Sequence, residues 1–188
     1  MKHELVGLAS DHAAFPLKQF VKKYLDEKGI AYKDYGTHTE ESCNYATFGH
    51  ALAQGIETGE VCPGIAMCGS GEGISMTLNK HQGIRAGLVW QPEIAHLNRE
   101  HNDANVIVFP GRFISEETCR QCLDEFFSTE FAGGRHQERV DSMACKRCQP
   151  YHSQYHTVEE SNTIMNIAVR IARVSERHFL FPQRRQCP

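Results

Sequence analysis

The chain alternates between short apolar segments and longer amphipathic ones. The short segments are typical of buried strands and cover residues 4–10, 30–36, 64–68, 84–90 and 104–111. Between them, apolar residues recur at helical spacing over residues 14–28, 45–58, 73–80, 92–101 and 115–127. This alternation predicts strands that pair in parallel through right-handed crossovers. The expected fold is α/β, a Rossmann-like three-layer α/β/α sandwich around a five-stranded parallel sheet.

The character of the sequence changes near residue 145. Residues 149–188 contain neither glycine nor lysine, and their basic residues are all arginine. One helical stripe in this part carries four aliphatic side chains: Ile164, Ile167, Ile171 and Val174. We therefore predict one domain over residues 1–145 and a C-terminal helical extension over residues 146–188, a linker plus an amphipathic helix. That helix is expected either to be docked or loosely ordered, or to bind a partner.

Composition and charge exclude several classes of protein. The 188 residues have a formal net charge of −3, so no overall basic field attracts nucleic acid. No apolar run approaches the ~20 residues that span a bilayer, and the N-terminus has no apolar signal segment. We therefore expect a cytoplasmic protein without a membrane partner. In that compartment the eight cysteines are expected to stay reduced.

The segment CGSGEGIS, residues 68–75, is the first candidate site. Its glycines, Gly69, Gly71 and Gly73, match neither the dinucleotide fingerprint nor the Walker A loop. A tyrosine phosphatase loop is excluded too, because Ile74 stands where that loop needs an arginine. Ligands bind beyond the carboxyl ends of parallel strands, where glycine N–H groups and a helix N-terminus can hold an anion.

A cysteine at that edge suggests proton transfer. A fraction of the Cys68 thiol is expected to be thiolate at neutral pH. A base beside an anion-binding loop suits removal of a proton next to a carbonyl, with formation of an enediolate. The alternative is structural, a buried cysteine at a strand end before a tight turn.

Two pairs of polar residues narrow the chemistry. Asp11 and His12 follow the first strand, at the same carboxyl edge as Cys68. Asp11 could instead cap a helix. His101 and Asn102 end the fourth helix, where a histidine also interacts favourably with the helix dipole.

Three arginines suggest a phosphorylated ligand. Arg112 follows the fifth strand, and Arg135 and Arg139 lie four residues apart behind a double glycine. Two guanidinium groups on one helical face suit a phosphate, although a solvated basic face is the alternative. With the candidate base, they point to a phosphorylated small molecule that has an acidic C–H and a carbonyl, which is a sugar phosphate.

Five segments in order carry a family resemblance: SDHAAF.LK, YGTHTEESCNYA, CGSGEGISMTLNKHQGIRA, REHNDANV..FPGR and GGRHQERV. Over about residues 4–145 the chain closely resembles the type B ribose-5-phosphate isomerases and their galactose-6-phosphate isomerase relatives. The resemblance implies an α/β/α sandwich that works without metal or organic cofactor. It also implies a homodimer or homotetramer whose active sites are shared between subunits.

The resemblance implies a role for each candidate catalytic residue. Cys68 would move a proton between C1 and C2, and His101 would be the acid that helps to open the furanose ring. Asp11 would bind sugar hydroxyls or assist opening, and Asn102 would lie near the oxyanion. The enediolate oxygens would be held by Ser70 and the backbone of the loop, which is Gly69, Gly71, Glu72 and Gly73.

The phosphate and the pocket wall have implied residues too. The phosphate-contacting set is His12, Arg112, Arg135 and Arg139, partly supplied by a neighbouring subunit, and Tyr45 would line the site. Some family members lack the cysteine and use an acidic base later in the loop. That position is Ser75 here, so we assign the base to Cys68, with Glu72 only as a weak substitute.

Two functions remain open within this resemblance. The first is aldose–ketose isomerisation, of ribose 5-phosphate to ribulose 5-phosphate or of a six-carbon sugar phosphate such as allose or galactose 6-phosphate. The second is binding of a sugar phosphate without catalysis. One departure bears on the choice: Asn44 stands before Tyr45, where the family usually has an acidic residue. Asparagine keeps hydrogen bonding but lacks the negative charge.

Four further cysteines and two histidines raise other possibilities. Cys145, Cys148, His152 and His156 are zinc-ligand types, but the gap between the two pairs is far shorter than in a zinc finger. We therefore predict no metal site. Cys119 and Cys122 lie on a predicted helix beside apolar residues, and we expect core or surface thiols rather than a redox pair.

Overall fold

The computed structural model describes residues 5–144, which form a five-stranded, all-parallel sheet with helices on both faces. The strands are β1 (Val6–Ser10), β2 (Tyr32–Asp34), β3 (Gly64–Cys68), β4 (Ala86–Leu88) and β5 (Val106–Pro110). The helices are α1 (Phe15–Glu27), α2 (Tyr45–Glu57), α3 (Glu72–Leu78), α4 (Pro92–Glu100), α5 (Glu116–Ser128) and α6 (Arg135–Met143). The strand order β2-β1-β3-β5-β4 confirms the predicted fold class.

Two hydrophobic cores separate the three layers, because side chains alternate across each buried strand. In β3, Ile65 and Met67 face the core that includes residues of α1, α4 and α5. Ala66 and Cys68 face the opposite core, which includes residues of α2 and α3. Every residue of β1, β3 and β5 is buried, as a parallel sheet covered on both faces requires.

The edge strands are shorter than the apolar pattern predicts. The pattern covers residues 30–36 and 84–90, whereas the ladders cover only Tyr32–Asp34 and Ala86–Leu88. Ile30 packs against the core, but its N–H donates to Leu25 O at 2.9 Å and closes the end of α1. An apolar residue beside an edge strand can thus pack against the core without belonging to the ladder.

Cys119 and Cys122 lie in the core on α5, and both are fully buried. Burial raises the pKa of both thiols, that of Cys122 to about 11. They therefore stay protonated and apolar at neutral pH.

Within residues 5–144, the helices are too short or too polar to cross a membrane.

Several predictions concern residues that the structure does not describe. The extension over residues 146–188 and its amphipathic stretch lie outside residues 5–144. So do the four residues of the zinc-like pattern, Cys145, Cys148, His152 and His156. The domain boundary at residue 145 therefore stays a prediction.

Candidate active site

Asp11 and Cys68 lie side by side at the carboxyl edge of the sheet. Ser10 pairs with Met67 in the β1–β3 ladder, and the Asp11 N–H donates to Met67 O at 3.2 Å. Both side chains are buried, with 6% of Asp11 and 4% of Cys68 exposed. Asp11 also accepts a hydrogen bond from the Ala14 N–H at 3.1 Å, so it caps the turn that precedes α1.

The glycine loop makes a turn that only glycine can make at Gly71. This residue has a φ of +79° and precedes α3. A Cβ there would come within 2.4 Å of Leu88 Cδ1 and 3.1 Å of the Phe109 backbone. The first N–H groups of α3, which include that of Gly73, have no intrahelical partner. The turn therefore presents backbone donors at the same edge as Cys68.

A cavity of about 400 Å³ opens at this edge. Besides Ala13, its lining contains most of the predicted site residues, which are Asp11, His12, Tyr45, Cys68, Gly69, Ser70, Gly73 and Arg112. We call these residues, Ala13 excepted, the carboxyl-edge cluster. Glu72, the weak substitute for the base, has an exposed side chain at the start of α3 and does not line the cavity.

Backbone hydrogen bonds tie the loop after β5 to the glycine loop. The Gly111 N–H donates to Cys68 O at 2.9 Å, and the Arg112 N–H donates to Gly69 O at 3.0 Å. The Arg112 side chain therefore lies beside the cavity, where it passes 3.7 Å from the point that a Cβ on Gly69 would occupy.

Tyr45 forms one wall of the cavity. It is the first residue of α2, and its ring covers Gly73 so closely that a Cβ there would lie 2.5 Å from Tyr45 Cζ. Asn44 caps this helix, because its Oδ1 accepts from the Ala46 N–H at 2.9 Å. The residue that departs from the family pattern thus orients the start of the helix that carries Tyr45.

The loop after β2 reaches back to His12. The Cys43 N–H donates to His12 Nδ1 at 3.2 Å, so the neutral imidazole carries its proton on Nε2. Sequence reasoning missed Cys43, because only the folded loop brings it to His12.

A buried lysine fixes the start of the same loop. Lys18 is fully buried, and its Nζ donates to Asp34 Oδ1 at 2.7 Å and to Thr37 O. Burial lowers the pKa of Lys18. Burial would raise the pKa of Asp34, but hydrogen bonds from Lys18 and the Gly36 N–H hold it below its usual range. Lys18 falls on the apolar face of α1, a signal from which the sequence could have predicted a buried ion pair.

His101, Asn102, Arg135 and Arg139 are not part of the cavity lining. Because α4 returns from the carboxyl edge to the start of β5, its end lies at the amino edge of the sheet. Val106 there pairs with Gly64, four residues before Cys68 on β3. At a strand rise of about 3.3 Å per residue, the two edges are about 13 Å apart. The structure therefore does not bring these residues to Cys68 within one chain.

These four residues lie near one another with His136, and we call the five the helix-end cluster. His101 caps α4, and its ring stacks on His136 at the start of α6, with centroids 4.1 Å apart and planes 8° apart. Asn102 lines a separate cleft of about 610 Å³, which also includes Arg85 and Val140. Sequence reasoning missed His136, although it stands directly between the two predicted arginines.

The arginines predicted for phosphate binding differ from the others in their partners. Within residues 5–144, Arg85, Arg99 and Arg120 form ion pairs with carboxylates. Arg112, Arg135 and Arg139 form none in that part of the chain. Their charges are therefore available to an anionic ligand.

Residues 5–144 contain no group of three or more His, Cys, Asp or Glu side chains that could hold a metal ion.

Comparisons with known proteins identify the family of the chain. The family model described as Ribose/Galactose Isomerase matches residues 6–143. Ribose-5-phosphate isomerase B from Escherichia coli K12 is 37% identical over 138 residues, which are 73% of this chain and 93% of that protein.

Two solved structures share the fold. A ribose 5-phosphate isomerase from Thermotoga maritima superposes with a TM-score of 0.74 and 45% identity, over 76% of this chain and 98% of its own. A ribose-5-phosphate isomerase B from Mycoplasma genitalium with bound ribulose-5-phosphate has a TM-score of 0.70 and 32% identity, over 74% and 93% of the two chains. The chain therefore belongs to the ribose/galactose isomerase family of sugar-phosphate isomerases.

Proposed function

We propose that the protein interconverts ribose 5-phosphate and ribulose 5-phosphate, at active sites that two copies of the chain complete together. The observation that carries the proposal is the placement of Cys68 beside Asp11 and Arg112 at one cavity. These residues supply a base, a hydrogen-bonding carboxylate and a cation for the phosphate. Such substrates and reduced thiols belong to the cytoplasm, where we expect the enzyme to act.

Cys68 is the proton carrier in this proposal. Its thiolate takes the proton from C2 of the open-chain aldose, and the C–H electron pair forms the C1–C2 double bond while negative charge moves to O1. The thiol returns the proton to C1, the proton of the C2 hydroxyl passes to O1, and the carbonyl now lies at C2. Ser70 and the N–H groups of the glycine loop stabilise the enediolate charge.

Ring opening precedes this step when the substrate is ribose 5-phosphate. His101 of the partner subunit gives a proton to the ring oxygen while the bond from that oxygen to C1 breaks. Asp11 takes the proton of the O1 hydroxyl, which becomes the C1 carbonyl. Asn102 of the partner subunit donates a hydrogen bond near the developing oxyanion. This assignment fits two groups at opposite edges of one sheet, since a second copy can bring its amino edge to the first copy's cavity.

The phosphate is held from both copies. His12 and Arg112 belong to the carboxyl-edge cluster, whereas Arg135 and Arg139 of the partner subunit approach from the helix-end cluster. Binding of the phosphate far from C1 and C2 holds those carbons against the base.

Exposed apolar side chains near the cavity support contact with a second copy. Phe113 follows Arg112 and is 75% exposed, Met76 lies one turn after Gly73 on α3 and is 62% exposed, and Tyr45 is 40% exposed. Large apolar side chains grouped at one edge mark an interaction surface.

Isomerase assays test the function directly. We expect turnover of ribose 5-phosphate, measured beside allose 6-phosphate and galactose 6-phosphate, to fall by about two or more orders of magnitude in Cys68→Ala. Cys62→Ala, at an exposed cysteine outside the cavity, is the matched control and should retain activity. Turnover of allose or galactose 6-phosphate in place of ribose 5-phosphate would show that the substrate is that six-carbon sugar phosphate. Binding of these sugars without any turnover would make the protein a sugar-phosphate binder and overturn the proposal.

A further inference from the structure

The imidazole ring of His101 has two neighbours, the carboxylate of Glu100 beside one ring nitrogen and the ring of His136 against one face. Its Nε2 lies 3.0 Å from Glu100 Oε2, and His136 covers one face in a near-parallel stack. The side chain is still 37% exposed. The Glu100 carboxylate beside Nε2 favours Nδ1 as the nitrogen that faces a substrate, and the stack sets the plane of the ring.

His136 is built into the fold rather than placed by chance at the surface. It is the one buried residue among the nine of α6, Arg135–Met143, all of which the structure describes. The neighbouring arginines on the same helix are exposed. As the buried side chain of this helix, the His136 ring anchors α6, and it stacks on His101.

The charge state of His136 suits this contact. Burial lowers the pKa of His136, and the positive charges of His101, Arg135 and Arg139 lower it further, against a smaller opposing effect of Glu100. The Arg135 Nε–H also points to His136 Nε2 at 3.5 Å. A ring that is neutral near pH 7 can stack on a protonated His101 without repulsion between like charges.

We propose that His136 is a positioning residue for the ring-opening acid. Its stacked ring holds the plane of His101, so that Nδ1 meets the ring oxygen of a furanose bound in the cavity of the partner subunit. This inference rests on the proposed function, because it assigns a role to a neighbour of the proposed acid.

The two directions of the reaction separate positioning from a structural role. Ribose 5-phosphate is mainly a closed furanose and must be opened. Ribulose 5-phosphate cannot close such a ring, because its C5 oxygen carries the phosphate. In the reverse direction the enzyme can release open-chain aldose, which closes in solution. A defect confined to ring opening therefore lowers kcat at saturating ribose 5-phosphate more than it lowers kcat at saturating ribulose 5-phosphate.

The test compares forward and reverse kcat in variants of His136. In His136→Ala, and in His136→Leu, which keeps apolar bulk without a planar ring, we expect forward kcat to fall about tenfold more than reverse kcat. His136→Phe restores a flat ring, so its ratio of forward to reverse kcat should stay within about twofold of wild type. His96→Ala is the matched control, because His96 also contacts Glu100 but does not stack on His101.

Each other outcome has one meaning. If Ala and Leu variants slow both directions equally, His136 only anchors α6 and the inference is wrong. The same holds if His136→Phe shifts the ratio as much as His136→Leu. Wild-type protein that turns over neither sugar would instead refute the proposed function.

Discussion

The carboxyl-edge cluster and the helix-end cluster differ in how the fold holds them. In the first, Cys68 and Asp11 are buried at the ends of adjacent strands, and backbone hydrogen bonds join the loops around them. In the second, Arg135 and Arg139 are exposed on a short helix whose one buried side chain is His136. One cluster is fixed by the sheet, and the other by the ends of two helices.

The difference shows which part of the site one chain can build alone. A parallel sheet gathers strand ends at one edge, so a base, a carboxylate and a glycine loop meet there without a partner. The end of α4 must lie at the other edge, because a crossover helix returns the chain to the start of the next strand. The proposed site uses both clusters, so we expect it to need a second copy of the chain.

The largest expected effect is on the stability of the fold around the loop after β2, which brings Cys43 to His12. Lys18→Met would remove the shortest ion pair of the largely buried Asp34 carboxylate, which keeps only the Gly36 N–H and longer contacts with Lys22 and His38. We expect the loss to be about 3 kcal/mol of unfolding free energy, the low end for a broken buried ion pair. Lys23→Met is the matched control on the same helix, and its exposed pair with Glu27 should contribute less than about 1 kcal/mol. Denaturant titration measures both values. Equal losses in the two variants would show that the ion pair does not hold the loop after β2.

A smaller effect should separate the two clusters by reaction direction. We expect His101→Asn to lower forward kcat on ribose 5-phosphate by about 100-fold and to leave reverse kcat on ribulose 5-phosphate within about twofold. Cys68→Ala should slow both directions, because both pass through the enediolate. Coupled assays in each direction give the comparison. Equal losses in His101→Asn would contradict ring opening as its role.

The smallest expected effect concerns Asn44. Asn44→Asp keeps the cap of α2, since a carboxylate oxygen also accepts from the Ala46 N–H, and it adds the charge that the family usually has. If that charge orients the sugar or a histidine, kcat/KM on the preferred substrate should rise about two- to tenfold. An unchanged kcat/KM would show that the cap is what this position provides.

The apolar pattern predicted most clearly a strand that is buried on both faces and helices that bury one face. The bounds of β3 and of the helices α2, α4 and α5 follow to within a residue or two. The edge strands were predicted too long, because a residue such as Ile30 packs against the core, partly buried, without joining the ladder. The apolar pattern of a sequence indicates which side chains are buried, but it does not indicate which of those residues pair in the β-sheet.

The part of the site at the carboxyl ends of the strands was predictable, because parallel strands all end at the same edge of the sheet. Asp11, His12 and Cys68 each follow or end a strand, so the sequence placed them at one edge. The contact of Cys43 with His12 and the stack of His136 on His101 depend on how loops and helices return. No spacing in the sequence encodes those contacts.

Complementation between two inactive variants tests the shared site most directly. Cys68→Ala and His101→Asn chains, co-expressed with different tags and purified through both, give dimers with one copy of each. If the partner subunit supplies His101, one of the two sites is intact, and forward activity should return to about half of wild type. Mixed dimers no more active than the two parent variants would show that Cys68 and His101 act within one chain, and would contradict the account.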